Sequence, residues 1–119
     1  MTLEKEQAEM DKLAVVLKKR LRLQDWNTVI CVKRHFDMPD SRYGSCNDVV
    51  SRKEAVISIL WSGDRVPVDG QIPDSAACTL AHELLHLHFA PFWDDAHELA
   101  MEQAIQCLAT AFVHGGDNE

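Results

Sequence analysis

Residues 75–90 read SAACTLAHELLHLHFA, with Asp74 before them and Pro91 after. The stretch is too long and too evenly apolar for a strand, so its spacing predicts a helix. Asp74 offers an N-cap, and Pro91 stops the helix because its ring removes an N–H and clashes with the preceding turn. Inside this helix, His82-Glu83-Leu84-Leu85-His86 matches H-E-x-x-H. Residues i and i+4 lie one above the other on a helix face, so both imidazoles can reach one ion. Glu83, next to the first imidazole, can touch a metal-bound water and act as general base. Its neighbours Leu80, Ala81, Leu84, Leu85 and Leu87 are apolar, and two imidazoles and a carboxylate among them are costly without a partner.

Working outward, a last helix is expected from Asp94 or Asp95 to about Val113, with His114-Gly115-Gly116 as its C-terminal signal. Residues 3 to about 23 place Leu3, Met10, Leu13, Leu17 and Leu21 at helical spacing behind Thr2, an available N-cap. Between these helices the period changes. Thr28 to Val32, Tyr43 to Val50 and Ala55 to Trp61 read as three strands, the second weakened by Gly44 and Asn47. Short spacers make antiparallel pairing the expected connection. Ser62 to Pro73, with two Gly and two Pro, reads as an ordered loop. The expected architecture is α+β: an N-terminal helix, a small antiparallel sheet, the H-E-x-x-H helix and a C-terminal helix, all in one domain over 1–119.

Composition narrows the function classes. The chain has 119 residues, 46% of them hydrophobic and 26% charged, which is globular composition. Lys and Arg number 12 against 19 Asp and Glu, a net charge of −7, so neither nucleic acid nor an anionic membrane is an expected partner. No apolar run reaches the roughly 18 residues that span a bilayer, and the charged start MTLEKEQAEMDK is unlike a secretory signal. The expected location is the cytoplasm. Cys31, Cys46, Cys78 and Cys107 include no C-x-x-C pair and are expected as reduced, partly buried thiols.

A zinc site needs a third protein ligand. Phe89 and Phe92 stand where an H-E-x-x-H-x-x-G-x-x-H motif has its Gly and last His. His88 lies about 200° around the helix from His86 and faces elsewhere. His97 is possible but falls on the first turn of the last helix, which leaves Asp94, Asp95, Glu98 and Glu102; of the two glutamates, Glu98 is nearer the centre of the buried stripe. It also has a competing role at N3 of a capping box led by Asp95. Glu102 has no such role and borders the stripe of Ile105, Leu108, Ala109 and Phe112, so it is preferred, with Glu98 the runner-up. Gln106, one turn on, is placed to orient a ligand.

A-H-E-L-L-H-L at 81–87, followed by E-Q-A-I-Q-C-L-A at 102–109, resembles the small gluzincin-type, zincin-like metallopeptidase domains. It is similar to compact proteins of this kind encoded by phages and prophages, and more distantly to the ImmA/IrrE peptidases. Trp26, Ile30, Val32 and Tyr43-Gly44 fit the front half of such domains. Gln103-Ala104 follow the glutamate where ImmA/IrrE proteins carry Ala-Asn. The resemblance implies a zinc metallopeptidase in which His82, His86 and Glu102 bind Zn2+ and Glu83 is the catalytic base. It implies a protein or peptide substrate and a regulatory role in a phage or prophage. The third strand, Ala55 to Trp61, is the expected edge for an extended substrate. Tyr43, His88, His97 and His114 are the candidate oxyanion donors, none singled out by spacing. Trp61, Phe89, Phe92 and Trp93 are read as core or cleft wall. Two other functions compete: a zincin-like metal-binding interaction module without proteolytic activity, and a domain in which the motif is accidental.

Overall fold

The computed structural model describes residues 1–39, 42–65 and 75–114. Among them the chain folds as an α+β domain with three α-helices and a three-stranded sheet. Helix α1 spans Leu3–Arg20; strands β1, β2 and β3 span Asn27–Lys33, Gly44–Val49 and Glu54–Leu60; helices α2 and α3 span Ala76–Phe89 and Glu98–His114. No helix among the described residues is long and apolar enough to cross a membrane.

Thr2 caps α1, its hydroxyl accepting from Lys5 N at 3.2 Å. Acidic Glu4 and Glu6 in the first turn and Lys18, Lys19 and Arg20 in the last complement the helix dipole. The buried stripe of α1 is Met10, Ala14 and Leu17, continued by Leu21 just past the helix end, while Leu3 and Leu13 are half-buried. Glu6 also lies in this stripe, its carboxylate accepting from the backbone N–H of Ser62 at 3.0 Å and from the Ser62 hydroxyl. It ties the helix to the 3-10 turn Ser62–Asp64, at the start of the stretch read as a loop. The rest of that stretch, 66–73, lies outside the described residues.

The sheet order is β1-β3-β2, and this corrects the expected all-antiparallel pairing. β1 pairs parallel to β3, and β2 pairs antiparallel to it. The most apolar strand takes the middle, paired on both edges, with Ile57, Ser58, Ile59 and Leu60 all buried. The short turn Val50–Arg52 joins β2 to β3 as a hairpin, with Lys53 in the left-handed region at φ 50°. The longer connection from β1 then passes β3 by, leaving β1 and β3 running the same way. The central position of β3 also overturns its assignment as a substrate-binding edge, since its backbone groups are used on both sides.

Of the two true edges, β1 is closed by a side chain. The Gln7 amide donates to Ile30 O and accepts from Val32 N–H, both at 2.7 Å, in the way a neighbouring strand would. β2 is the remaining edge. Helices α1 and α2 cover one face of the sheet, through Ile30, Val32, Ile57 and Ile59, and α3 packs on the far side of α2. Helix α2 is therefore enclosed on several sides, and Leu80, Ala81, Leu84, Leu85 and Leu87 are buried. Its cap is Ser75, whose hydroxyl accepts from Cys78 N at 3.1 Å; Asp74, the expected cap, lies outside the described residues.

A 3-10 turn at Asp95–His97 leads into α3, and Asp94 caps it by accepting from Ala96 N at 2.9 Å. This corrects the Asp95-led capping box, because Asp94 stands at the right distance from the first unpaired N–H groups. Gly115 and Gly116 lie outside the described residues. The four cysteines form no disulfide; Cys78 is buried, Cys31 and Cys46 are half-buried, and Cys107 is exposed on α3 rather than partly buried.

Candidate metal centre

Helical geometry sorts the polar residues of α2 onto one side. Thr79, His82, Glu83, His86 and Ala90 fall within roughly 100° of arc, while His88 is exposed on another side of the helix. These five line a cleft of about 700 Å³ walled by β2 on one side and by α3 on the other. Gly44 explains how β2 comes so close. A Cβ there would lie 2.5 Å from Thr79 Cγ2 and 3.0 Å from Glu83 Oε1, so the glycine that weakens β2 as a strand makes room for the carboxylate. Gly44→Ala is expected to destabilise the fold by about 1–3 kcal/mol through this overpacking, read as a lower denaturant midpoint. An unchanged midpoint would show that β2 is free to move away from α2.

From α3, Glu98, Glu102 and Gln106 face the cleft at successive turns. Glu102 reaches both imidazoles. His82 Nε2 is 3.0 Å from Glu102 Oε2, and His86 Nε2 is 3.0 Å from Glu102 Oε1. One ligand atom from each of His82, His86 and Glu102 lies within 4.8 Å of the others, close enough to bind a metal ion. Glu98 is an exposed residue of the same cleft and does not join this group.

The remaining nitrogen of His82 tests the fit. Nδ1 lies 2.7 Å from Gln106 Oε1, and an amide oxygen only accepts, so Nδ1 carries a proton there. Nε2 then turns to Glu102 Oε2 at 3.0 Å, a geometry in which a cation held by both atoms fits. Burial lowers the His86 pKa, with the His82 charge adding and Glu102 and Asp48 opposing. The neutral imidazole it favours is the form that offers a lone pair to a metal. The donor set of two imidazoles and a carboxylate thus suits a divalent cation.

Glu83 stands apart from this trio. It is 7% exposed and its carboxylate makes no hydrogen bond among the described residues, yet it lines the cleft. Burial pushes its pKa up to about 7, with His82 lowering it, Glu102 raising it and Arg42 lowering it. A carboxyl poised there can exchange a proton near neutrality. Cys46, also in the cleft wall, has its thiol pushed up to about 12 by burial, with Glu83 and Asp48 adding, so it stays protonated.

The spare histidines lie elsewhere. His88 Nε2 meets Leu21 O, His97 Nδ1 is 2.8 Å from Asp94 Oδ2, and His114 Nε2 is 3.3 Å from Cys78 Sγ. Tyr43 does line the cleft, with the Arg65 guanidinium 5.0 Å from its ring centroid. Trp93 forms cleft wall, its ring centroid 5.2 Å from that of His86, whereas Phe92 is exposed, and Trp61 and Phe89 pack against the core. Arg42, Asp48 and Thr79 also line the cleft, and sequence reasoning missed all three. Asp48 was open to detection, since it shares a face with Gly44 and Cys46 at the strand period of two. Nothing local marks Arg42. Comparison of the chain with protein-family models, with curated proteins and with solved structures finds no match.

Proposed function

We propose that this protein is a zinc-dependent metallopeptidase, with His82, His86 and Glu102 holding the ion and Glu83 acting as general base. One observation carries the reading: a buried carboxyl, without a hydrogen bond among the described residues, opens into the cleft beside a convergent His-His-Glu trio. An interaction module that used metal only for structure would need no such group, and an accidental motif would not bring a glutamate from another helix to both imidazoles. The H-E-x-x-H spacing and the likeness of 81–87 and 102–109 to zincin-like domains, including those of phages and prophages, support the same conclusion.

Zinc bound at this trio would supply Lewis acidity, acidifying water and polarising a scissile carbonyl. The chain's own residues do the rest. Gln106 fixes the proton of His82 on Nδ1 and so directs Nε2 into the cleft. Glu83 takes the proton of the attacking water and returns it to the leaving amine. The outer edge of β2 offers backbone groups for an extended substrate, in place of the central strand β3. Substrate binding between β2 and α3 excludes water from the reacting carbonyl.

Chelation tests the metal dependence. Hydrolysis of an unfolded protein substrate is expected to vanish after dialysis against a chelator and to return with about one equivalent of zinc. Hydrolysis that survives in the metal-free protein would contradict the proposal.

A further inference from the structure

The cleft has two electrically different ends. β2 runs alongside α2 in the same direction: Gly44 sits against Thr79 and Glu83, and Asp48, four residues on, lines the cleft together with His86, one turn on from His82. Trp93 closes the same end through its ring contact with His86. Glu98 stands one turn before Glu102 on α3 and faces the same cleft. At the opposite end Arg42 and Tyr43 precede the strand and line the cleft, and the Arg65 guanidinium lies over the Tyr43 ring.

The sheet register says how a strand would enter. Leu60 N–H donates to Tyr43 O at 2.8 Å, so Tyr43 turns its carbonyl towards β3. Alternation then turns the N–H and C=O groups of Gly44, Cys46 and Asp48 outward along the open edge. The side chains of Cys46 and Asp48 share the face on which Gly44 meets Thr79 and Glu83, and line the cleft. A peptide added antiparallel, the slightly more stable pairing, has its amino end beside Asp48 and its carboxyl end beside Arg42.

We propose that the cleft selects its substrate by this charge gradient, taking an extended peptide with a lysine or arginine on the amino side of the scissile bond. That side chain lies among Trp93, Asp48 and Glu98, where the indole face and two carboxylates favour a cation. Towards Arg42 the cleft favours an acidic side chain or a terminal carboxylate. This rests on the peptidase reading for which bond is cut, but the binding preference is measurable without turnover.

The test uses zinc-loaded Glu83→Gln protein and two fluorescein-labelled alanine octapeptides, carrying one lysine or one glutamate on the amino side of the central bond. Fluorescence anisotropy is expected to show the lysine peptide bound roughly tenfold tighter at low salt, from two exposed ion pairs and one cation–π contact. Adding Asp48→Asn and Glu98→Gln in the same background is expected to remove most of the preference, leaving the Trp93 contribution, with zinc content unchanged. Equal affinities, a tighter glutamate peptide, or no binding of either would overturn the proposal. A lysine preference with no cleavage by the wild type would leave the gradient standing and overturn the peptidase reading. Cleavage of both peptides at equal rates would do the reverse.

Discussion

Glu83→Gln is expected to abolish peptide hydrolysis while the protein keeps its zinc. The carboxamide matches the carboxylate in shape, so the room left by Gly44 still accommodates it, but it cannot take a proton from water. Positioned general bases contribute about 10²- to 10⁴-fold, and a loss of that order in kcat is the expected result. Stability is expected to hold or rise, because the wild-type carboxyl is buried with no hydrogen bond among the described residues and a neutral amide is less costly there. The same melting temperature, the same zinc content and no turnover would together assign the base. Turnover within tenfold of the wild type would mean that another group takes the proton. Loss of zinc would mean that Glu83 is a ligand.

The elements of this fold were legible where the pattern was strong. The change from helical to strand period near Trp26, and back again before Ala76, marks the three layers of chain from which the domain is built. Ile57, Ile59 and Leu60 signal a well-buried strand, but not whether it lies at an edge of the sheet or in its middle. Its central position depends on where the connection from β1 leads, a non-local fact that alternation does not encode. The site divides the same way. His82, Glu83 and His86 share one helix and are recognisable from spacing alone. Glu102 and Gln106 belong with them only because α3 packs against α2 with Ile105 and Ala109 buried between. Periodicity left Glu98 and Glu102 both open, since one turn separates them. The role of Gln7 in closing β1 was invisible, because nothing in a single amide side chain announces which strand it will meet.

Glu102→Ala is expected to lose zinc and Glu98→Ala to keep it. Glu102 is the carboxylate that reaches both Nε2 atoms at 3.0 Å, so its removal leaves two imidazoles and no third protein ligand. Changing groups that only support a metal ligand lowers affinity by about 10- to 100-fold, and removing a ligand itself is expected to cost at least the upper end of that range. Glu98 lies one turn away on an exposed position, so its loss leaves the trio intact. Both substitutions put alanine, the best helix former, into α3, so the helix itself is expected to persist. The decisive measurement is zinc per protein by elemental analysis, on the wild type and both variants after equilibration with zinc and desalting. The account predicts about one zinc in the wild type and in Glu98→Ala, and close to none in Glu102→Ala. Zinc retained by Glu102→Ala, or absent from the wild type, would contradict it.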